Sequence, residues 1–264
     1  IVGKTIADVD VRLKKIVSGD PKNIIAAKVT GIRRFGKGLV IDLNNGYSIA
    51  AHIKLTGQFV YRDSKTSNLK LSPKVGREIP NKWTHVVFKL RTQNSKVKNE
   101  SGDAFLYYND LRQFGWIKII KTSELQKLPF FKELGPEPFR DLTLDLFQKI
   151  VSSSGIAIKS LLMDQERIGG IGNIYANDAL FDAGIYPMRK AKSLRPEEIK
   201  KLYNSILKVL KKGLESGGAS ELSFVNVLGV EGGYQEHFLV YGKEGEKCKR
   251  CGSEIKKIKL GGRG

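Results

Sequence analysis

The sequence predicts an α+β protein: an antiparallel β-sandwich or barrel, then a helical half. Three observations carry this. Short segments rich in β-branched and aromatic residues, parted by turn signals, fill the first 120 or so positions. Beyond Leu134-Gly135-Pro136-Glu137-Pro138 the apolar spacing changes to that of helices. Within the helical half, Gly169, Gly170 and Gly172 break the chain sharply between two helical stretches.

Taken in order, strands are expected over Val9–Val17, Ile24–Ile32, Lys37–Leu43 and Tyr47–Leu55, the last two flanking the hairpin turn Asn44-Asn45-Gly46. Thr84–Leu90, Ala104–Tyr108 and Trp116–Ile120 continue the pattern, and the polar insertion Gln93–Asp103 reads as a mobile loop. Helices are expected over Leu142–Val151, from Ile158 to about Met163, from Gly172-Asn173 onward, and over Pro196–Glu215. In the last of these, Ile199, Leu202, Ile206, Val209 and Leu214 form the apolar stripe, while Lys200, Lys201, Lys208, Lys211 and Lys212 make a solvated face. Gly217-Gly218 ends it, a glycine-bearing loop follows over Val225–Gln235, and Phe238–Tyr241 reads as a strand. The resulting division is residues 1–122, 123–222 and 223–264.

Charge narrows the function. Forty-six Lys and Arg against 27 Asp and Glu give a net charge of +19, which favours a polyanionic partner, nucleic acid first. The basic residues are dispersed rather than gathered on one amphipathic helix, which argues against a membrane surface. No apolar run approaches the roughly 20 residues needed to span a bilayer, so the expectation is a cytoplasmic protein. At the glycine junction the helix opening at Asn173 leaves N–H groups without internal partners, a ready site for a phosphate.

The only cysteines, Cys248 and Cys251, stand as Cys-Lys-Arg-Cys with Gly252 just after. A structural zinc ion takes four ligands, so this pair is half a site, closer to a zinc-ribbon knuckle than to a redox helix. With Ile at position 1 inside an apolar stretch, the chain reads as cut at both ends.

Several motifs then fall in one order: Arg-Arg-Phe-Gly-Lys (33–37), His-Ile-Lys-Leu-Thr-Gly (52–57), Asp-Leu-Arg-Gln-Phe-Gly (110–115) and Leu-Gly-Pro-Glu-Pro (134–138). Gly-Ile-Gly-Asn-Ile-Tyr-Ala (170–176), Val-Tyr-Gly-Lys-Glu-Gly-Glu-Lys-Cys (240–248) and Gly-Gly-Arg-Gly (261–264) complete it. In this the chain resembles the bacterial formamidopyrimidine-DNA glycosylases, bifunctional enzymes that excise oxidised purines and nick the abasic site. The resemblance implies a β-sandwich, a helix–two-turns–helix domain and a C-terminal zinc finger, with duplex DNA bound between and the protein acting as a monomer. It implies chemistry begun by an N-terminal Pro amine with a neighbouring Glu acid, neither of which matches a residue here, and one zinc ion whose first two ligands match Cys248 and Cys251.

The resemblance also assigns roles. Lys37 matches a lysine that contacts phosphate and assists β-elimination, and Arg263 a zinc-finger arginine that helps δ-elimination. His52, Asn173 and Tyr241 match phosphate contacts; Lys159, just before the turns, is placed for a phosphate or pocket contact. Leu55, in place of the usual Met, joins Arg112 and Phe114 as the wedge that fills the space left by an everted base. Val225–Gln235 falls where the family caps that base. Trp83, where many members carry a DNA-contacting histidine, and Ser152-Ser153-Ser154, in a commonly basic stretch, depart from the pattern. The function implied is base-excision repair of 8-oxoguanine and formamidopyrimidines with β,δ-elimination. The alternatives are an endonuclease VIII-like enzyme for oxidised pyrimidines, a branch that lacks the Arg-x-Phe pair, and a non-catalytic module for abasic or damaged DNA.

Overall fold

The computed structural model describes residues 1–92 and 102–264; apart from Gly102 and Asp103, the insertion expected over Gln93–Asp103 lies outside them. Backbone contacts divide the chain into two compact units, Ile1–Lys132 with Gly217–Gly233, and Glu133–Ser216 with Tyr234–Gly264.

The first unit is a β-sandwich. Its strands are β1 (Lys4–Val11), β2 (Val17–Ser18), β3 (Val29–Phe35), β4 (Gly38–Leu43), β5 (Tyr47–His52), β6 (Gly57–Arg62), β7 (Thr84–Thr92), β8 (Ala104–Asp110) and β9 (Trp116–Lys121). One sheet runs β1-β7-β8-β6 and the other β2-β9-β5-β4-β3, antiparallel throughout except for the short β2–β9 pair. Alternation along each strand builds the core: Ile6, Val86, Phe88, Leu90, Leu106 and Tyr108 from the first sheet meet Val29, Ile41, Leu43, Ile49, Ile117 and Ile119 from the second. The opposite face of the second sheet presents Val40 and Ala50 to Leu125 and to the short helix α1 (Pro129–Lys132), with Phe131 buried against them.

Two expected strands shift. The first begins earlier, at Lys4, and ends at Val11, because Arg12 and Leu13 both give their N–H groups to the His85 carbonyl and the chain then enters a single 3-10 turn. The second begins only at Val29, because Pro21–Ile24 forms a 3-10 turn capped by the Asp20 carboxylate on the Lys22 N–H. The strand expected over Tyr47–Leu55 stops at His52, and β6 follows it. β6 is invisible to alternation because both its faces are covered: Phe59 and Tyr61 pack on the core while Gln58, Val60 and Arg62 are also buried.

The second unit is helical: α2 (Leu144–Ser152), α3 (Ile158–Met163), α4 (Asn173–Ala183) and α5 (Pro196–Glu215). Among the described residues no helix is long and apolar enough to cross a membrane. Along α5 the buried stripe is Ile199, Leu202, Ile206, Val209 and Gly213, so Leu214, expected on it, is 74% exposed. Position 213 continues the helical spacing, and it must be glycine because the Tyr175 ring from α4 lies against its backbone, within 2.6 Å of where a Cβ would sit. Phe238–Tyr241 is not a strand but a bend that runs into a turn at Tyr241. Its N–H groups bend towards one carboxylate, as described below.

At the start of α5, Glu198 accepts from the Arg195 N–H at 2.8 Å and from the Arg189 guanidinium at 2.6 and 3.1 Å. The Arg189 hydrogen bond and then the Arg195 N–H hold its carboxyl down at about 2, against an ordinary 4.5. Because the folded value is depressed, its stabilisation is fully present above pH 4.5 and is lost as pH falls towards 2. Glu198→Ala is expected to cost about 1 kcal/mol at neutral pH, the scale of a cap with a surface ion pair, measured by urea unfolding. The deficit should vanish in acid; a constant deficit down to about pH 2 would refute the ion-pair account.

Candidate nucleic-acid interface

In the sandwich unit, Lys37 is exposed on the β3–β4 turn. The next residue, Gly38, pairs with His52 across β4 and β5, so the lysine stands beside that imidazole. His52 is buried, edge-on to Phe130 with ring centroids 5.0 Å apart, and its Nδ1 accepts the Lys54 N–H at 2.9 Å. Burial, then the charges of Lys54 and Lys37, lower its pKa from 6.5 to about 4. With Nδ1 used as an acceptor, the neutral ring keeps its proton on Nε2, the form that donates to an anion.

NMR of the His52 ring is therefore expected to show no titration from about pH 8 to about 5, with a midpoint near 4. The folded value lies below the unfolded one, so stability falls as pH drops from 6.5 towards 4 and is level above 6.5. A midpoint near 6.5 would mean that the imidazole is not enclosed as described.

Leu55, Arg112 and Phe114 lie on two turns of this unit, the β5–β6 turn and the β8–β9 turn, tied to one buried carboxylate. Asp110 Oδ1 accepts the Thr56 hydroxyl at 2.5 Å and the Arg112 N–H at 3.2 Å, and its Oδ2 accepts the Gly115 N–H at 2.8 Å. The Arg112 N–H also reaches Thr56 Oγ1, at 3.0 Å. A side chain at Gly115 would run into the Tyr108 hydroxyl, which fixes how closely the second turn folds over the first. Each turn holds a non-glycine residue in the left-handed region, Lys54 at φ 52° and Gln113 at φ 58°, a strain of about 1–3 kcal/mol each that the surrounding bonds must hold.

The outcome is an exposed apolar rim: Leu55 is 53% and Phe114 58% exposed, with the Arg112 guanidinium over the Phe114 ring at 4.9 Å. Large side chains left in water beside a buried polar knot mark an interaction surface rather than a packing one. Sequence reasoning named the three rim residues but gave no role to Asp110 or Thr56, whose partners become visible only once the two turns meet.

In the helical unit, Gly172 caps α4 and the first bond inside the helix runs from the Ala176 N–H to the Gly172 carbonyl, at 2.9 Å. The N–H groups of Asn173, Ile174 and Tyr175 have no acceptor within the helix, and the Asn173 Oδ1 is buried with no hydrogen-bond partner. Gln165 shapes the junction: its Oε1 takes the Gly170 N–H and its Nε2 donates to the carbonyls of Met163 and Ile171. The 134–138 connector clamps the same place, Gly135 N–H to the Gln165 carbonyl and Gly169 N–H to the Pro136 carbonyl.

Lys159 is buried in α3 and donates from Nζ to the Gly264 carbonyl at 2.5 Å, which the Asn177 amide also reaches at 3.3 Å. Burial, then the neighbouring Arg263 charge, lowers its pKa. Lys159 and Arg263 are thus brought together, with Arg263 exposed on a turn closed by its backbone bonds with Leu260.

Tyr241 is placed by Asp178 of α4. This carboxylate is fully buried and takes the N–H groups of Leu239 and Val240 at 3.1 Å each, that of Tyr241 at 3.4 Å and the Tyr234 hydroxyl at 3.1 Å. Desolvation raises its pKa despite these donors. Aspartate 178 carried no signal in the sequence.

Cys248 and Cys251 are free thiols on a tight turn in which the Arg250 N–H approaches the Cys248 sulfur at 3.4 Å and the Gly252 N–H bonds the Cys248 carbonyl. Such a turn suits two of the four ligands of a tetrahedral ion. Among the described residues no group of three or more His, Cys, Asp or Glu could hold a metal. The residues present therefore fit half of a zinc site.

Two family models match the chain: the formamidopyrimidine-DNA glycosylase N-terminal domain over residues 1–117 and the formamidopyrimidine-DNA glycosylase H2TH domain over residues 134–224. The formamidopyrimidine-DNA glycosylase of Pelotomaculum thermopropionicum is 38% identical over 267 residues, spanning 99% of this chain and 89% of the relative. The chain belongs to the formamidopyrimidine-DNA glycosylase family. The Exiguobacterium glycosylase is 36% identical over all of the chain and 90% of its own length. Among solved structures, the Lactococcus lactis glycosylase in complex with abasic-site DNA superposes with a TM-score of 0.82 at 30% identity, over all of this chain and 90% of that one. The Thermus thermophilus MutM (Fpg) protein gives 0.83 at 29%, over all of this chain and 89% of that one. The family's α+β architecture, a β-sandwich followed by a helix–two-turns–helix domain, is therefore that of this chain.

Proposed function

We propose that this protein is a base-excision repair DNA glycosylase of the cytoplasm, acting as a monomer on duplex DNA that carries oxidised purines, 8-oxoguanine and formamidopyrimidines, or an abasic site. The observation that carries the reading is the relationship to formamidopyrimidine-DNA glycosylases along nearly the whole chain, at 38% and 36% identity to the two relatives above. The exposed Leu55–Arg112–Phe114 rim supports it independently.

In this reading the rim enters the duplex where a base leaves the stack. Unstacking costs a few kcal/mol, and the wedge offsets it: Leu55 fills the vacancy, Phe114 parts the neighbouring step and Arg112 offers donors to the unpaired base. Phosphates are taken by the Nε2–H of neutral His52, by the open N-terminus of α4 at Asn173, and by Lys159, Tyr241 and Arg263. Lys37, an ammonium beside that phosphate contact, stabilises developing charge and supplies a proton in β-elimination; Arg263 assists δ-elimination. The secondary amine and acid with which the family's reaction begins have no counterpart among these 264 residues. The roles proposed for the residues present are therefore binding, eversion and elimination. The knuckle of Cys248 and Cys251 would supply two ligands to a structural zinc ion, which would brace the turns that carry Tyr241 and Arg263.

The test is binding of a duplex with a tetrahydrofuran abasic analogue against the same duplex undamaged. Lesion affinity is expected to be higher by about tenfold or more, one well-placed set of contacts. It should fall by tens of fold between about 50 and 200 mM salt, as three phosphates neutralised by Lys37, Lys159 and Arg263 require. Equal affinities for the two duplexes, or an affinity nearly flat with salt, would overturn the reading.

A further inference from the structure

Residues 217–233 belong to the first unit, and three side chains brace the loop they form. Ser220, 1% exposed, closes it from within: its hydroxyl donates to the Phe224 carbonyl at 2.6 Å and accepts the Gly232 N–H at 2.8 Å. The Lys74 ammonium donates to the Ser220 carbonyl and, at 2.7 Å, to the Glu231 carboxylate. Gln58, buried on β6, donates from Nε2 to the Ser223 carbonyl at 2.5 Å and to the Lys74 carbonyl at 3.0 Å. A chain of bonds thus runs from the sheet to the backbone of Ser223.

That bracing presents the Ser223 hydroxyl to the β5–β6 turn, where it donates to the Leu55 carbonyl at 2.6 Å. Arg112 and Phe114 face one another at 4.9 Å on the other turn of the rim. Leu55, 53% exposed, takes its direction from its backbone rather than from packing. Lys54 before it is strained at φ 52°, and Thr56 after it is bound through its side chain to Asp110. Between those two points the Leu55 carbonyl belongs to the planar peptide joining Leu55 to Thr56. A donor that holds this oxygen from outside the turn therefore holds the plane, and with it the ψ angle of Leu55.

We propose that Ser223 is a positioning residue for the wedge, acting through the Leu55 carbonyl to set the direction in which Leu55 enters the duplex. The proposal rests on the glycosylase reading, in which Leu55 fills the place of an everted base.

The test is a double-mutant cycle of Ser223→Ala and Leu55→Ala, read as the ratio of affinities for a tetrahydrofuran duplex and the same duplex undamaged. The tetrahydrofuran site carries no base, so a loss there does not come from a contact between the loop and a base. Ser223→Ala is expected to lower the ratio by about fivefold, the worth of one neutral hydrogen bond, and to leave the affinity for undamaged duplex unchanged. In the Leu55→Ala background the same change should have no further effect, since its route is already gone. Arg112 and Phe114 keep part of the preference there, so a further loss would be visible. Ser223→Thr retains the hydroxyl and should restore the ratio. In the free protein the NMR amide signals of Leu55 and Thr56 should move in Ser223→Ala and hold in Ser223→Thr. A full ratio in Ser223→Ala, or an equal loss in the Leu55→Ala background, overturns the proposal. So do Leu55 and Thr56 amides that keep the parent's shifts in Ser223→Ala. A parent chain without any preference for the tetrahydrofuran duplex fails the glycosylase reading, and the proposal with it, so the parent alone tells the two failures apart.

Discussion

Asp178→Ala is expected to lower stability by about 3 kcal/mol or more, the cost of leaving several buried donors without their acceptor at about 1–3 kcal/mol each. The carboxylate is the acceptor on which the turn at 239–241 closes. Without it the N–H groups of Leu239 and Val240 and the Tyr234 hydroxyl lose their acceptor in a buried site. Asp178→Asn keeps the shape and one acceptor oxygen, so its deficit should be nearer about 1 kcal/mol. The two variants also differ in pH dependence from the parent. Burial raises the Asp178 pKa, so the folded protein takes up this proton before the unfolded chain does. That penalty is complete above the raised folded value and is relieved as pH falls through it. Asp178→Asn should therefore lack a slope that the parent shows in mild acid. Thermal unfolding across pH measures both effects. An Asp178→Ala protein that melts with the parent would mean that the turn carrying Tyr241 is held by something else. Abasic-DNA affinity, read on the Asn variant, reports the placement of Tyr241 separately from global stability.

The contrast between what could be read in advance and what could not follows from the range of each interaction. Helices α3 and α5 begin and end where the sequence places them, because their signals are local: Pro196 at the first turn of α5, two glycines after its end, apolar residues at helical spacing between. The hairpin at Asn44-Asn45-Gly46 is local too, with Gly46 at φ 81°. The errors arise where a partner distant in the chain decides. β6 is covered on both faces, Leu214 yields its place to a glycine that a tyrosine ring demands, and Phe238–Tyr241 curves around a carboxylate some 60 residues earlier. In the candidate interface the side chains proposed to meet DNA were named in the sequence. Those that aim them, Asp110, Thr56, Gln165 and Asp178, were not, since an acceptor is recognised only when its donors are known.

Asp110→Ala is expected to act on recognition more than on folding alone. The carboxylate holds the wedge turn at three points, the Thr56 hydroxyl, the Arg112 N–H and the Gly115 N–H, and lies 1% exposed. Removing it leaves those donors unmet, at about 1–3 kcal/mol for each buried group that finds no substitute. The left-handed conformations at Lys54 and Gln113 then lose the bonds that hold them, and both turns can relax towards ordinary backbone angles. Relaxation moves Leu55, Arg112 and Phe114 and loosens the Lys54 N–H bond to His52, while the proposed phosphate contacts of the helical unit, at Asn173, Lys159, Tyr241 and Arg263, are untouched. The variant should therefore bind undamaged duplex nearly as the parent does and lose about tenfold or more of its preference for the abasic duplex, a difference of about 1.4 kcal/mol. Arg112→Ala, which removes the guanidinium from its place over the Phe114 ring but leaves the knot intact, should lose part of that preference with no loss of stability. Asp110→Ala is expected to lose both. If the preference survives in Asp110→Ala while the protein stays folded, the two turns are held in place without their shared carboxylate, and the account of how the rim is presented fails.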